Sequence, residues 1–173
     1  MTLRKILLFG AVLCMVATAF AQANRGTAEV TIKGKKISID YGQPHLGSHG
    51  MSELPSGGVW RLGMNAATRI ETAGDLSAGS QTVKAGKYTL WVRRTGENSW
   101  TLAFHPKTEA ANGNPLWGAP PQVGGFIAEF PLKLEKAKDS ADQVTISLAE
   151  ANGKGWIKIQ WGNDLLNGSF DVK

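Results

Sequence analysis

Cysteine is almost absent from this sequence. Of 173 residues only Cys14 carries a thiol, so no disulfide can form within the chain. Uncharged apolar runs of membrane-spanning length are missing beyond the extreme N-terminus, which excludes a multi-span helical membrane protein. Charge of one sign is also lacking: 19 Lys and Arg stand against 14 Asp and Glu, and a net charge of +5 this mixed is no nucleic-acid footprint. Neither a Walker-type nor a dinucleotide-binding glycine signature occurs, and there is no Gly-x-Ser-x-Gly elbow. What is present is 42% hydrophobic residues, too many for a disordered chain and enough for a packed core.

Arg4 and Lys5 precede an apolar run from Ile6 to Ala19, and Ala19-Phe20-Ala21 offers small residues where a signal peptidase cuts. The pattern predicts a signal peptide over residues 1–21 and export to the periplasm or the extracellular space. A retained anchor fits less well, because the run is short for a bilayer core of about 30 Å and polar Gln22, Asn24 and Arg25 follow at once. Leu13, just before Cys14, is too bulky for lipoprotein processing. Cleavage after Ala21 removes Cys14 and lowers the net charge to +3. Residues 22–173 are then expected to form one domain held up by its core alone, with no transmembrane span and no partner among nucleic acids.

Along that domain the apolar period is two. Val30 and Ile32 alternate with polar residues, as do Ile37, Ile39 and Tyr41, with Gly34-Lys35 as the turn between them. Tyr88, Leu90 and Val92 form a third such face and Trp100, Leu102 and Phe104 a fourth, joined through Thr95–Asn98. Further faces follow at Phe126–Leu134, at Val144, Ile146 and Leu148, at Ile157, Ile159 and Trp161, and at Leu166, Phe170 and Val172. Turns are expected at Asn152–Gly155 and Gly162–Asp164, and a brief helical turn at Ser140–Asp142. The fold class predicted is all-β: a single-domain antiparallel β-sandwich, or a related barrel, of seven to nine short strands with two long loops, Gly42–Val59 and His105–Gly125. Loops of that length are where local function is expected.

Several side chains invite a chemical reading. His45, His49 and Glu53 repeat every four residues, which on a helix would align three metal ligands, and His105 adds a third imidazole. Pro44, Gly47, Gly50 and Pro55 break any such helix, so no metal and no cofactor is expected. Trp60, Arg61 and Asn65 form the most specific polar cluster: a flat face, a rigid five-donor fork and an amide. Its structural alternative has Arg61 paired to a carboxylate such as Asp40 or Glu71. Trp117, in a Pro- and Gly-rich loop, either presents a stacking platform or caps the sandwich. Trp91 and Trp156 fall on the polar faces of their strands.

Gly58-Val59-Trp60-Arg61-Leu62-Gly63-Met64-Asn65-Ala66-Ala67-Thr68 is more particular than a generic strand entry. With Tyr41-Gly42-Gln43-Pro44, Ala85-Gly86-Lys87-Tyr88, Trp100, Trp117-Gly118 and Trp161-Gly162-Asn163, in that order, it resembles the DUF2911 family over essentially the whole domain. The resemblance implies an exported bacterial β-rich domain without an assigned activity. The family commonly has arginine where Gln43 stands, Gly-Arg where Gly47-Ser48 stands, Ala at Met64 and an acidic residue at Ala66. A basic pocket built from those arginines would be incomplete here.

The function expected is therefore a non-catalytic binding or structural module. It would recognise a small molecule, a glycan or an envelope protein at one loop end through Trp60, Arg61, Asn65, Trp117 and Tyr41. The alternative is a metal-assisted or hydrolase-like enzyme using His45, His49 or His105 with a carboxylate.

Overall fold

The computed structural model describes residues 24–47, 50–110, 112–113, 116 and 125–173. The expected signal peptide, Ser48, His49 and Trp117 lie outside the described residues. The strands are β1 (Arg25–Ile32), β2 (Lys35–Gly42), β3 (Val59–Trp60), β4 (Thr68–Thr72), β5 (Leu76–Ala78), β6 (Gln81–Val83), β7 (Gly86–Arg94), β8 (Trp100–His105), β9 (Ala128–Ala151) and β10 (Lys154–Val172). A single 3-10 turn, Met51–Glu53, is the one helical element among the described residues. No helix there is long and apolar enough to cross a membrane.

All strands join one antiparallel sheet in the order β1-β2-β4-β7-β8-β9-β10-β5-β6, with β3 added beside β7. The sheet does not close into a barrel; it curls into a sandwich-like shape around one large core. Inward positions of every long strand feed that core, from Ile37 and Ile39 through Leu90, Phe104 and Phe130 to Ile159 and Val172. This is the period-two pattern expressed as burial. Two hairpins turn on pairs with left-handed backbone, Lys33-Gly34 (φ 50° and 76°) and Asn152-Gly153 (φ 55° and 74°), the geometry that matches strand twist. The first turn thus sits one residue earlier than Gly34-Lys35.

Two expected breaks are absent from the last third. Ser140–Asp142 lies within β9, and Gly162–Asp164 lies within β10. The register explains why: Gln160 pairs with Thr145, Gly162 with Ala141 and Asp164 with Lys136, so β9 spends more residues than β10 at each step. The surplus is taken up in bulges, which bend a hairpin without ending it. Gly162 supplies the bend (φ 61°), and a Cβ there would press on Leu46 at 3.2 Å. Two pairs of expected short strands are therefore two long ones.

Strand β4 escaped the apolar pattern because its inward residues include Thr68 and Thr72, both buried. Their hydroxyls donate to the carbonyls of Leu62 and Gly74, each at 2.7 Å, which makes burial tolerable. Trp91 is buried on the opposite face from the main core. It packs with Ala67 and Ala103 beneath Val59, Leu116 and Phe126, and donates its indole N–H to Thr89 Oγ1 at 3.1 Å. Phe126 belongs to this second cluster and precedes the strand it was expected to open.

Candidate functional site

Strands β3 and β4 lie end to end along the same edge of β7, β3 against Val92–Arg93 and β4 against Gly86–Leu90. The family-like segment Arg61–Ala67 is the excursion between them. It turns on Leu62 (φ 56°), Gly63 (φ 150°) and Asn65 (φ 60°), and it crosses β2 so closely that a Cβ on Gly42 would stand 2.2 Å from Met64 O. Left-handed backbone is costly for leucine. Complete burial of Leu62 in the core and the Thr68 hydroxyl on its carbonyl hold it there. Asn tolerates the same conformation readily.

The excursion leaves Trp60 pointing to the inner side. Its ring stacks on Trp161 of β10, with centroids 5.5 Å apart and planes 7° from parallel. Trp60, Trp161 and Trp100 together line a cleft of about 260 Å³, closed on the other side by Met51, Leu54 and Pro55. Arg94 holds that other side in place. Its guanidinium lies 5.5 Å over the Trp100 ring and donates to the carbonyls of Leu54 (2.8 Å), Ser52 (3.4 Å) and Glu97 (2.8 Å).

Apart from Glu53, the side chains lining the cleft are aromatic or apolar. The indole Nε1–H groups of Trp100 and Trp161 are sealed from solvent and have no acceptor among the described residues. Trp100 as a whole is 2% exposed. A buried donor left unpaired costs about 1–3 kcal/mol.

A larger groove of about 370 Å³ runs over the outer face of β1, β2 and β4, past Thr27, Glu29, Ser38, Asp40, Arg69 and Glu71. Most of its charges are paired with one another, Glu109 excepted. Arg25 grips Asp40 through two bonds of 2.8 and 2.7 Å and Arg69 adds a third at 2.9 Å, while Glu71 faces Lys87 and Glu29 faces Lys36. Burial pushes the Asp40 carboxyl up, but the bonds from Arg25 and Arg69 outweigh it and hold the group below its ordinary value. The groove is a structural ion-pair network.

Of the candidate site residues singled out from the sequence, Trp60 and Glu53 line the cleft. Arg61 follows Trp60, half-buried and without a hydrogen bond or ion pair among the described residues; of the carboxylates that might have paired with it, Asp40 is taken by Arg25 and Arg69 and Glu71 by Lys87. Asn65 contributes backbone conformation to the excursion. Tyr41 is buried over Gly26, with its hydroxyl 3.4 Å from the Ile146 carbonyl, and does not reach the cleft. His45 is exposed and bonded to Asp142 at 2.7 Å, whereas His105 accepts from the Lys107 N–H and meets Phe126 edge-on. Among the described residues no group of three His, Cys, Asp or Glu is placed to hold a metal. Trp100 and Trp161 are legible in the sequence as inward strand residues and as part of the same family-like pattern as Trp60, and that shared pattern is the signal that could have joined them to it.

No curated protein and no solved structure matches the chain. A family model described as a protein of unknown function (DUF2911) matches residues 23–169, from ahead of β1 to nearly the end of β10. The chain belongs to that family.

Proposed function

We propose that the domain is an exported, non-catalytic binding module and that its ligand site is the tryptophan cleft between β3, the start of β8, the bend of β10 and the Met51–Pro55 segment. The observation that carries the reading is the cleft itself, in which the Trp60–Trp161 stack and Trp100 stand across from Met51, Leu54 and Pro55. A lining of three indoles, Met51, Leu54 and Pro55 offers contact surface, with Glu53 its single ionisable side chain. Export rests on the basic-then-apolar pattern of Arg4–Ala21.

Two measurements test this. N-terminal sequencing of the protein recovered from its native host is expected to begin at Gln22, and a start at Met1 overturns the export reading. A thermal-shift screen of small molecules and glycans, beside capture from an envelope extract, is run on the wild type and Trp60→Ala. Binding that the variant abolishes supports the cleft; binding that it leaves intact moves the site elsewhere.

A further inference from the structure

The surfaces that the cleft exposes narrow its ligand, on the reading that this cleft is the binding site. We propose that the occupant is a neutral apolar ring of bicyclic size, held by contact alone and asking no hydrogen bond of the protein. Met51 and Trp100, each 2% exposed, form the floor. Trp60, Trp161 and Leu54 are half-buried and Pro55 is exposed, so these four are the walls that a ligand meets, and none of them carries a charge. Contact with aromatic walls is worth more than the area it buries. A rigid ring also gives up no bond rotations on binding, as an open chain must. A volume of about 260 Å³ limits the ring to fragment size, below the roughly 300–1,000 Å³ of drug-sized pockets.

The two charged groups at the cleft are already engaged, so an ionic ligand finds no partner there. Arg94 lies 5.5 Å over Trp100 and gives its N–H groups to the carbonyls of Ser52, Leu54, Gly96 and Glu97, and Glu53 is likewise engaged within the chain. A quaternary ammonium favours several indole faces turned around one point. Here Trp60 and Trp161 lie 7° from parallel and cover each other. A sugar also stacks on tryptophan, but against Leu54 and Pro55 most of its hydroxyls would lose water and gain nothing. An unpaired buried hydroxyl costs more than a made bond returns. Cation and sugar are therefore outcomes that refute the assignment.

The test follows the six indole resonances of the full exported domain, assigned through single Trp→Phe variants, during titration with five probes. The probes are indane, 1-indanone as the same ring with a polar oxygen, n-hexane as an open chain, methyl α-glucopyranoside and tetramethylammonium. Indane is expected to shift the Trp60 and Trp161 signals saturably. The Trp91 signal, whose N–H is bonded to Thr89 outside the cleft, is expected to stay in place. 1-Indanone is expected to bind by its ring with the oxygen left in water, and no more tightly than indane. Hexane is expected to bind about threefold more weakly than indane, the cost of stilling its bonds. Tenfold tighter binding of 1-indanone, hexane equal to indane, or a cleft response to the glucoside or the ammonium ion in place of indane overturns the apolar-ring assignment and leaves the cleft standing as a site. Silence of Trp60, Trp100 and Trp161 toward every probe overturns the assignment and counts against the cleft as well.

Discussion

The guanidinium of Arg94 lies 5.5 Å over the ring of Trp100 and, from that position, gives its N–H groups to the carbonyls of Ser52, Leu54, Gly96 and Glu97. One side chain thus ties the Met51–Pro55 segment to the β7–β8 hairpin and sets the width of the tryptophan cleft. Charged donors spread over several carbonyls are worth more than neutral ones. Arg94→Ala is expected to cost about 2–3 kcal/mol in urea unfolding and to speed amide exchange at Leu54, whose N–H bonds Met51 O. Arg94→Lys is expected to recover only part, because a point charge cannot span both segments. Unchanged exchange at Leu54 in the alanine variant would show that Arg94 does not hold the segment.

Gly42 is the floor on which the Arg61–Ala67 excursion rests. A methyl group there would meet backbone, at 2.2 Å from Met64 O and 2.7 Å from Met64 N, and backbone cannot rotate aside. Gly42→Ala is expected to destabilise the domain by about 3 kcal/mol or more. A midpoint of denaturation within error of the wild type would mean that the excursion is free to lift off β2.

Asn65 separates two accounts of the same residue. If its amide is needed for recognition, Gly and Ala should be equally harmful to binding. The backbone account predicts otherwise: at φ 60°, Asn65→Gly is expected to be close to neutral in stability and Asn65→Ala to cost about 1 kcal/mol. Thermal denaturation of both variants gives the ranking, and Ala at or above Gly contradicts the backbone role.

Asp40 gives the fold an acid-sensitive contact. Its folded pKa lies below the ordinary 3.8 despite burial, because Arg25 and Arg69 bind the charged form. The stabilisation is complete above the unfolded value and is lost as the pH falls through the folded one. Asp40→Asn is expected to cost about 2 kcal/mol at pH 7, between an exposed pair and a fully buried one, and progressively less below pH about 4. Urea midpoints at pH 7 and pH 3 check the sign; a difference that grows toward acid would contradict it.

Much of this architecture was legible in residue order alone. Inward faces such as Ile37-Ile39-Tyr41 and Trp100-Leu102-Phe104 alternate cleanly, and their burial follows the pattern. Thr68 and Thr72 hid β4 because a hydroxyl reads as polar until its partner carbonyl is known. Ser140–Asp142 and Gly162–Asp164 read as local breaks, since a bulge is decided by the register of two strands and not by either sequence. The site was half visible. Trp60 stood out by its segment, but its stacking partner Trp161 comes from a distant strand, and only the curl of the sheet brings them face to face. Arg61 pointed to Asp40 by charge, whereas pairing across β1, β2 and β4 delivers Arg25 and Arg69 there first.

The account turns on the tryptophan cleft, and a crystal of the domain soaked in 1-indanone tests it most directly. The ring is expected against the Trp60–Trp161 stack, between Trp100 and the Met51–Pro55 segment. Density for the ring only in the groove over β1, β2 and β4, or only on the exposed face of Trp156, would contradict it.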